Sequence, residues 1–389
     1  MPEFRKYVFI LCVFALTSLL GPVSGAAADK ADFKTHPVNN AEHKWRIGYY
    51  EGGSYSNYPL HMEALVQGLV ELGWIAPVDF SCAREEDRTQ KMWRCLATKA
   101  KSPYLEFVET AYWTANWEDT VRQKNRAACL AQLQAEKLDL IIAMGTWAGQ
   151  DLANNRHRVP TIGIDISDPL QSGVIGSAED SGFDHVYVRC DPDREIRKLR
   201  VFHSLVGFKK LGIAYVDTPD GRAYAAVAAI HKVAAGRRFE VIACDAPVSD
   251  SDTARCVQGL YDCHVKLAQQ VDAIFITTHR GMAIETMDKV LAPIFRHRIP
   301  TFSQRGVEEV QYGVLMSIST PIIGLHHAKV VASIFNGIRP RDMEQVLKDP
   351  LRIAINMETA RRIGYTPPKN IFRITDAVYE AIATPVKGN

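Results

Sequence analysis

Residues 138–170 read LDLIIAMGTWAGQDLANNRHRVPTIGIDISDPL, and residues 271–305 repeat the same plan as VDAIFITTHRGMAIETMDKVLAPIFRHRIPTFSQR. In each copy an Asp is followed by a short apolar run. That run predicts a buried parallel strand, because its apolar residues are consecutive rather than alternating. Small polar residues then open a helix, and a basic cluster precedes a second strand that begins at Pro-Thr. The repeat predicts two similar α/β lobes with a cleft between their strand-end loops.

Strand-like and helix-like segments alternate along the chain, which is typical of parallel, doubly wound sheets. The segments KWRIGYYEGGSY from Lys44 and KLGIAYVDTPDGRAY from Lys210 also match, since each is an apolar strand that runs into a Gly-containing turn. The elements after Gln304 are too few for a third domain, so we expect the chain to cross between the lobes several times. The predicted class is α/β, with two Rossmann-like doubly wound lobes joined by a multi-crossover hinge. The predicted boundaries are 44–178 plus 312–340 for lobe 1, and 179–311 plus 341–389 for lobe 2.

The N-terminus predicts export. A basic pair precedes an apolar run over residues 7–20, and small residues follow. This order is typical of a secretory signal peptide cleaved after Ala26 or Ala28. The apolar run is shorter than the roughly 20 residues that a membrane-spanning helix needs. We therefore expect a signal peptide over residues 1–28 and a flexible lead-in over residues 29–43.

Composition argues against several classes of partner and cofactor. The chain has 46 Lys and Arg against 44 Asp and Glu, which gives a formal net charge of +2. So small a charge does not favour binding to nucleic acid or to an anionic membrane surface. Cys and His do not occur at the short fixed spacings of metal sites. We therefore expect no metal and no cofactor.

Cysteines are expected to form disulfides in an exported protein. Of the eight cysteines, seven lie beyond the predicted signal peptide. Cys82 and Cys95 flank a polar stretch of 12 residues and are the predicted disulfide. Cys244, Cys256 and Cys263 could supply a second one, and the sequence leaves that pairing open.

Ligands of parallel sheets bind beyond the carboxyl ends of the strands, where helix N-termini present free N–H groups. The residues at these positions include hydroxyls, aromatic rings, acids and arginines. Such a mixture suits a small zwitterion, since a carboxylate needs an anion site, an ammonium group needs an acid, and a flat side chain needs an aromatic wall. Asp217 is the predicted acid for the ammonium group. The candidate ligand-binding residues are Tyr50, Gly53, Ser54, Tyr55, Gly145, Thr146, Trp147, Ser167, Asp168, Asp217, Tyr224, Thr278, His279, Arg280 and Arg305.

Several of these residues also have a structural interpretation. Thr146 and Thr278 are equally good helix caps. Asp168 precedes a proline and is a common turn opener. Arg280 and Arg305 could pair with nearby glutamates, although exposed pairs of that kind contribute only about 0–1 kcal/mol.

Four segments of the chain resemble one family. LDLIIAMGTWAGQDL, VPTIGIDISDPLQSGVI, IPTFSQRGVEEVQYGVLMSIS and INMETARRIGYTPP are similar to extracytoplasmic solute-binding proteins of ABC importers, in the group typified by tryptophan and tyrosine uptake. The resemblance extends over residues 45–368, and its most specific pieces are D-P-x-x-x-G at 168–173 and I-N-x-x-T-A-x-x-x-G at 355–364. The chain departs from the family in the segment from Ile75 to Pro103 and in the bulky Trp147, where a small residue is usual.

The resemblance implies a type I periplasmic binding fold, with two lobes joined by three crossovers and a ligand held between them. It implies a monomeric periplasmic protein that is not an enzyme. Such a protein would bring a small polar or zwitterionic solute to an ABC permease in the inner membrane. The resemblance favours an aromatic amino acid as that solute, whereas Trp147 and the strand-end tyrosines are also compatible with a nucleoside or a sugar.

Two other functions remain open. A periplasmic ligand sensor that reports to a membrane receptor or sensor kinase would have the same fold. A secreted α/β enzyme is a third possibility, because doubly wound folds host many reactions. The chain has no G-x-G-x-x-G after the first strand of either lobe, no G-x-x-x-x-G-K-[ST] and no G-x-S-x-G. These motifs are typical of dinucleotide-binding, phosphate-binding and hydrolase sites.

Overall fold

The computed structural model describes residues 33–81, 83, 88–248 and 252–384. The predicted signal peptide, with its cleavage positions at Ala26 and Ala28, lies outside the described residues, as does Cys82. Across these four ranges, no helix is both long enough and apolar enough to cross a bilayer.

The first sheet has five strands in the order β2-β1-β3-β4-β5, and all its pairings are parallel. Its strands are β1 (Trp45–Glu51), β2 (Leu105–Thr114), β3 (Leu140–Met144), β4 (Thr161–Ile164) and β5 (Val186–Val188). The helices of this lobe are α1 (Asn57–Glu71), α2 (Arg88–Lys99), α3 (Asp119–Gln134), α4 (Thr146–Leu152) and α11 (Gly324–Phe335), and α11 packs against α1. Every residue of β3 is buried, as its uninterrupted apolar run predicts.

The second sheet has seven strands in the order β12-β11-β10-β9-β8-β6-β7. They are β6 (Lys210–Tyr215), β7 (Glu240–Asp245), β8 (Ala273–Ile276), β9 (Thr301–Ser303), β10 (Met316–Ser319), β11 (Arg352–Asn356) and β12 (Ala377–Tyr379). Only the β10–β11 pairing is antiparallel. The helices are α5 (Arg194–Val206), α6 (Pro219–Tyr224), α7 (Val227–Arg237), α8 (Thr253–Leu267), α9 (Met287–Arg296), α10 (Val307–Gln311) and α12 (Met357–Ile363).

The strand pairings divide the chain differently from the predicted boundaries in two places. β5 lies within 179–311, the segment predicted for lobe 2, but it pairs with β4 in the first sheet. β10 lies within 312–340, the segment predicted for lobe 1, but it pairs with β9 and β11 in the second sheet. Both strands are short and mostly buried, so their residues fit the interior of either sheet. The chain therefore crosses between the sheets after β5, after β10 and again between α11 and β11.

The segment from Ile75 to Pro103 is part of the first lobe's core rather than a separate unit. Its helix, α2, buries Met92, Trp93 and Leu96 in the cluster that covers the first sheet. Cys95 of this helix is disulfide-bonded. The pairing predicted for it stays a prediction here, because Cys82 is not among the described residues.

The second cysteine group resolves into one disulfide and one thiol. Cys244 and Cys263 are bonded, with their Cα atoms 5.6 Å apart, and join the end of β7 to α8. Cys256 is a buried thiol that takes no part in this disulfide. Of the pairings that the sequence left open, the structure contains the one between the outer two cysteines.

Protonation of His264 in α8 makes the stability of the fold depend on pH. Its side chain is buried, its Nδ1 lies 2.9 Å from the Val290 carbonyl oxygen, and burial lowers its pKa from 6.5 to about 4. Between these two values the unfolded chain binds more protons than the folded chain, so the free energy of unfolding falls as the pH falls. We expect this histidine to contribute a loss of about 3 kcal/mol across that window.

The variant His264→Gln removes this titration and keeps a donor for Val290. Urea unfolding of parent and variant between pH 7 and pH 4 gives the free energy of unfolding of each as a function of pH. We expect the parent's value to fall relative to the variant's as the pH falls. Parallel curves would contradict the assignment.

Candidate functional site

A cleft of about 440 Å³ lies between the two sheets. Most of its lining residues follow the carboxyl ends of β1, β4 and β5 in the first sheet and of β6, β8, β9 and β10 in the second. The volume is within the roughly 300–1,000 Å³ typical of small-molecule sites. The cleft therefore lies where the repeated strand ends predict a site.

The structure divides the fifteen predicted site residues into two groups. Those that line the cleft are Tyr55, Ser167, Asp168, Tyr224, Thr278 and Arg305. Those that do not line it are Tyr50, Gly53, Ser54, Gly145, Thr146, Trp147, Asp217, His279 and Arg280. Most of the second group support the cleft walls or connect the lobes elsewhere.

Tyr50 and His279 are buried side chains with structural partners. The Tyr50 hydroxyl donates to Asp151 at 2.9 Å, and Asp151 also pairs with Arg122 at 2.9 Å. His279 Nε2 lies 2.9 Å from the Ala246 carbonyl oxygen, and burial lowers the pKa of this imidazole. Neither side chain faces the cleft.

Gly145 and Thr146 shape the first wall from behind. Gly145 has φ +83°, and a Cβ there would lie 1.8 Å from the Tyr58 hydroxyl, so the absence of a side chain admits that phenol. The Thr146 hydroxyl accepts from the Ser167 backbone N–H at 3.2 Å and ties the loop after β4 to the start of α4. Neither residue lines the cleft, and the ligand contacts predicted at these two positions stay predictions.

Asp217, the acid that the sequence favours for an ammonium group, lies outside the cleft. Its carboxylate pairs with Arg222 at 2.6 Å, and both side chains are about half exposed. The strand end carrying Asp217 turns into α6, which Thr218 caps by accepting from the Gly221 N–H at 3.1 Å. Asp217 therefore serves this local turn.

Asp165 is an acid that does line the cleft, and it directly follows β4. It has a left-handed backbone, with φ +53°, and its carboxylate lies 3.4 Å from His61 Nε2. Burial raises the pKa of Asp165, but His61 and two nearby arginines, Arg194 and Arg189, lower it by more. The result is a charged carboxylate in the first wall, at a position where the sequence offers only its place after a strand as a signal.

Arg305 dominates the opposite wall. Its guanidinium pairs with Glu309 at 2.9 Å and donates to the Ser56 hydroxyl of the first lobe at 3.3 Å. It also lies 5.6 Å from the centre of the Tyr55 ring. Burial raises the pKa of Glu309 even beside this arginine. Arg305 lines the cleft and thus bridges the two lobes through Ser56 and Tyr55.

Gln304 fixes the loops around Arg305. Its amide nitrogen donates to the Tyr224 carbonyl oxygen at 2.5 Å and to the Thr278 hydroxyl at 3.2 Å. Burial raises the pKa values of Tyr55 and Tyr224, so both phenols in the cleft are neutral. The cleft therefore has two aromatic walls, one from each lobe.

The end of the cleft near the crossing segments is densely ionic. Glu195 pairs with Arg194 at 2.9 Å and with Lys198 at 3.0 Å, and Arg189 pairs with Asp349. Six carboxylates line the whole cleft, on Asp165, Asp168, Asp191, Glu195, Glu308 and Glu309. Five cations line it, on Arg189, Arg194, Lys198, Arg305 and Arg352. This near balance suits a solute without net charge.

Metal chemistry has no obvious site in the described part of the chain. No group of three or more His, Cys, Asp or Glu side chains there is arranged to hold a metal ion.

Comparison with known proteins identifies relatives of this architecture. The family model described as ABC transporter substrate binding protein matches residues 113–379, which is more than half of the chain. No curated protein sequence matches the chain.

Solved structures with a similar fold come from several bacteria. An ABC domain in complex with L-Trp from Streptococcus pneumoniae is 17% identical over 86% of this chain and 100% of its own, with a TM-score of 0.63. A conserved domain protein from Vibrio cholerae gives the same values. The ligand-free, open structure of a substrate-binding protein with adhesive properties from Clostridium difficile is 17% identical over 86% of this chain and 99% of its own, with a TM-score of 0.59. These likenesses and the strand orders confirm the predicted type I periplasmic binding fold.

Substitution of Tyr50 tests whether this residue, which does not line the cleft, has a structural role. Tyr50→Phe removes a buried hydrogen bond to a carboxylate, so we expect the free energy of unfolding to fall by about 1.5–3 kcal/mol. The matched control is Tyr379→Phe in β12, where the ring is half-buried and we expect a change within about 0.5 kcal/mol. Urea unfolding measures both, and equal losses would contradict the role given to Tyr50.

Proposed function

Because this chain belongs to the family of ABC transporter substrate-binding proteins, we propose that it captures a small zwitterionic solute, an aromatic amino acid, between its two lobes. We further propose that it works as a periplasmic monomer and delivers the solute to the permease of an ABC importer. The main support is the cleft itself, which residues of both lobes line with six carboxylates and five cations.

Asp165 would accept the ammonium group of the solute. Its carboxylate is charged, lines the first wall and has His61 as a neighbour at 3.4 Å. A hydrogen bond between an ammonium group and a carboxylate is charge-assisted, which makes it about twice as strong as a neutral one.

Arg305, in the other lobe, would donate hydrogen bonds to the solute's carboxylate. It pairs with Glu309, and burial raises the pKa of that carboxyl group. A bound carboxylate would compete with Glu309 for the guanidinium, and Glu309 is a weak competitor because its charged form is disfavoured by burial. A solute with both charged groups would thus engage both lobes at once.

The presence of Tyr55 and Tyr224 in the cleft favours a solute with an aromatic side chain. The two phenols line the cleft from opposite lobes, and Tyr55 packs edge-on against Tyr58 with ring centres 5.3 Å apart. Aromatic rings favour offset or edge-on partners. The L-Trp complex of the Streptococcus pneumoniae protein supports the same class by analogy.

A thermal-shift screen of amino acids, sugars and nucleosides on the chain from residue 29 onward tests this function. Binding to the folded form at 100 times Kd raises its stability by roughly 2.7 kcal/mol, so one class should raise the melting temperature clearly. No shift with any solute would contradict capture. Consumption of the hit during incubation would indicate an enzyme.

Asp165→Asn tests the ammonium contact. Loss of a charge-assisted contact should weaken binding of the hit by about ten- to a hundredfold in calorimetry. Asp217→Asn is the matched control, because Asp217 is an acid at a strand end outside the cleft. Equal effects of the two variants would exclude Asp165 from the site.

A further inference from the structure

The two lobes also touch outside the cleft, through side chains that do not line it. The Arg280 guanidinium, after β8, lies 5.7 Å from the ring centre of Trp117, between β2 and α3. Nearby, Gln150 of α4 donates to Asp220 of α6 at 3.1 Å. We call these four residues the clamp.

The loop that carries Trp117 has an unusual backbone. Asn116 has φ +48° and Trp117 has φ +64°, both in the left-handed region that bulky residues rarely adopt. The Trp117 backbone N–H donates to the Gly52 carbonyl oxygen at 2.9 Å, and its indole N–H donates to the Ser54 carbonyl oxygen at 3.0 Å. A Cβ at Gly53 would lie 2.6 Å from the indole. Such strain persists only where the surroundings fix it, and it occurs mainly at functional positions.

Trp117 also belongs to a row of aromatic and charged side chains in the first lobe. Trp147 meets Trp117 edge-on, with ring centres 5.4 Å apart. Arg122 lies 4.4 Å from the centre of the Trp147 ring and pairs with the buried Asp151. The Trp117 indole, which faces Arg280, is therefore held in place by a row of contacts that ends at the buried carboxylate of Asp151.

We propose that the clamp stabilises the closed arrangement of the lobes and raises the affinity for solute without touching it, with Trp117 and Arg280 as its positioning residues. The effect on affinity rests on the proposed function, whereas the effect on closure does not. When a ligand binds only the closed form, its apparent Kd equals the intrinsic Kd divided by the closed fraction. Contacts that raise the closed fraction therefore tighten binding.

The clamp is tested first without solute. Small-angle X-ray scattering on the chain from residue 29 onward should give a larger radius of gyration for Trp117→Ala and for Arg280→Ala than for the parent. Trp117→Phe keeps a ring face and Arg280→Lys keeps a cation, so both should restore part of the compact form. Arg361→Ala, at an exposed pair with Glu380, is the control and should match the parent. Identical radii for the parent and both alanine variants would overturn the proposal.

Affinity gives a second, independent measurement, with L-tryptophan as the probe. Each alanine variant should weaken its binding about two- to fivefold, because a smaller fraction of the molecules is closed. The double variant should be little weaker than either single one, since both remove one interaction. Fully additive losses in variants that circular dichroism shows to be folded would overturn the proposal. If the parent binds no solute while the alanine variants still expand in scattering, the proposed function fails and the clamp stands.

Discussion

Parallel pairing is the constraint on which the rest of this structure depends. It brings the carboxyl ends of neighbouring strands to one edge of each sheet, so residues far apart in sequence, such as Tyr55 and Asp165, share one wall. The three crossings turn those two edges toward each other. Many lining residues of the cleft follow from this arrangement, because the loops after the strands are parts that meet there.

A second feature is the separation of two kinds of contact between the lobes. In the cleft, Arg305 reaches Ser56 and Tyr55 among balanced charges. Outside it, the Arg280 guanidinium lies 5.7 Å from the centre of the Trp117 ring. Two arginines at equivalent kinds of position, each after a strand of the second sheet, thus have different roles. One lines the space proposed for a solute, and the other is proposed to favour the arrangement that encloses it.

The sequence predicted the two-lobed fold well because consecutive apolar residues, as in β3 and β8, allow little but a buried parallel strand. Six of the fifteen residues that it proposed for ligand binding line the cleft, since strand ends can be read from the pattern. It failed where the backbone direction decides the outcome: Tyr50 and Tyr55 are both strand-end tyrosines, but one turns inward to Asp151. Trp117 carries no pattern at all, because its left-handed backbone depends on partners more than sixty residues away, at Ser54. The sheet membership of β5 and β10 depends on chain crossings that no local pattern encodes.

The three crossings have a mechanical consequence. One connection would let the lobes tumble, and two would let them twist about each other. A third connection restricts the lobes mainly to a hinge rotation that opens and closes the cleft. A backbone bridge between Cys190 of the first crossing and Val346 of the last adds to this restriction. The two halves of the binding surface are therefore already held facing each other before anything binds. Assembling them sacrifices far less freedom of translation and orientation than the association of two separate molecules would.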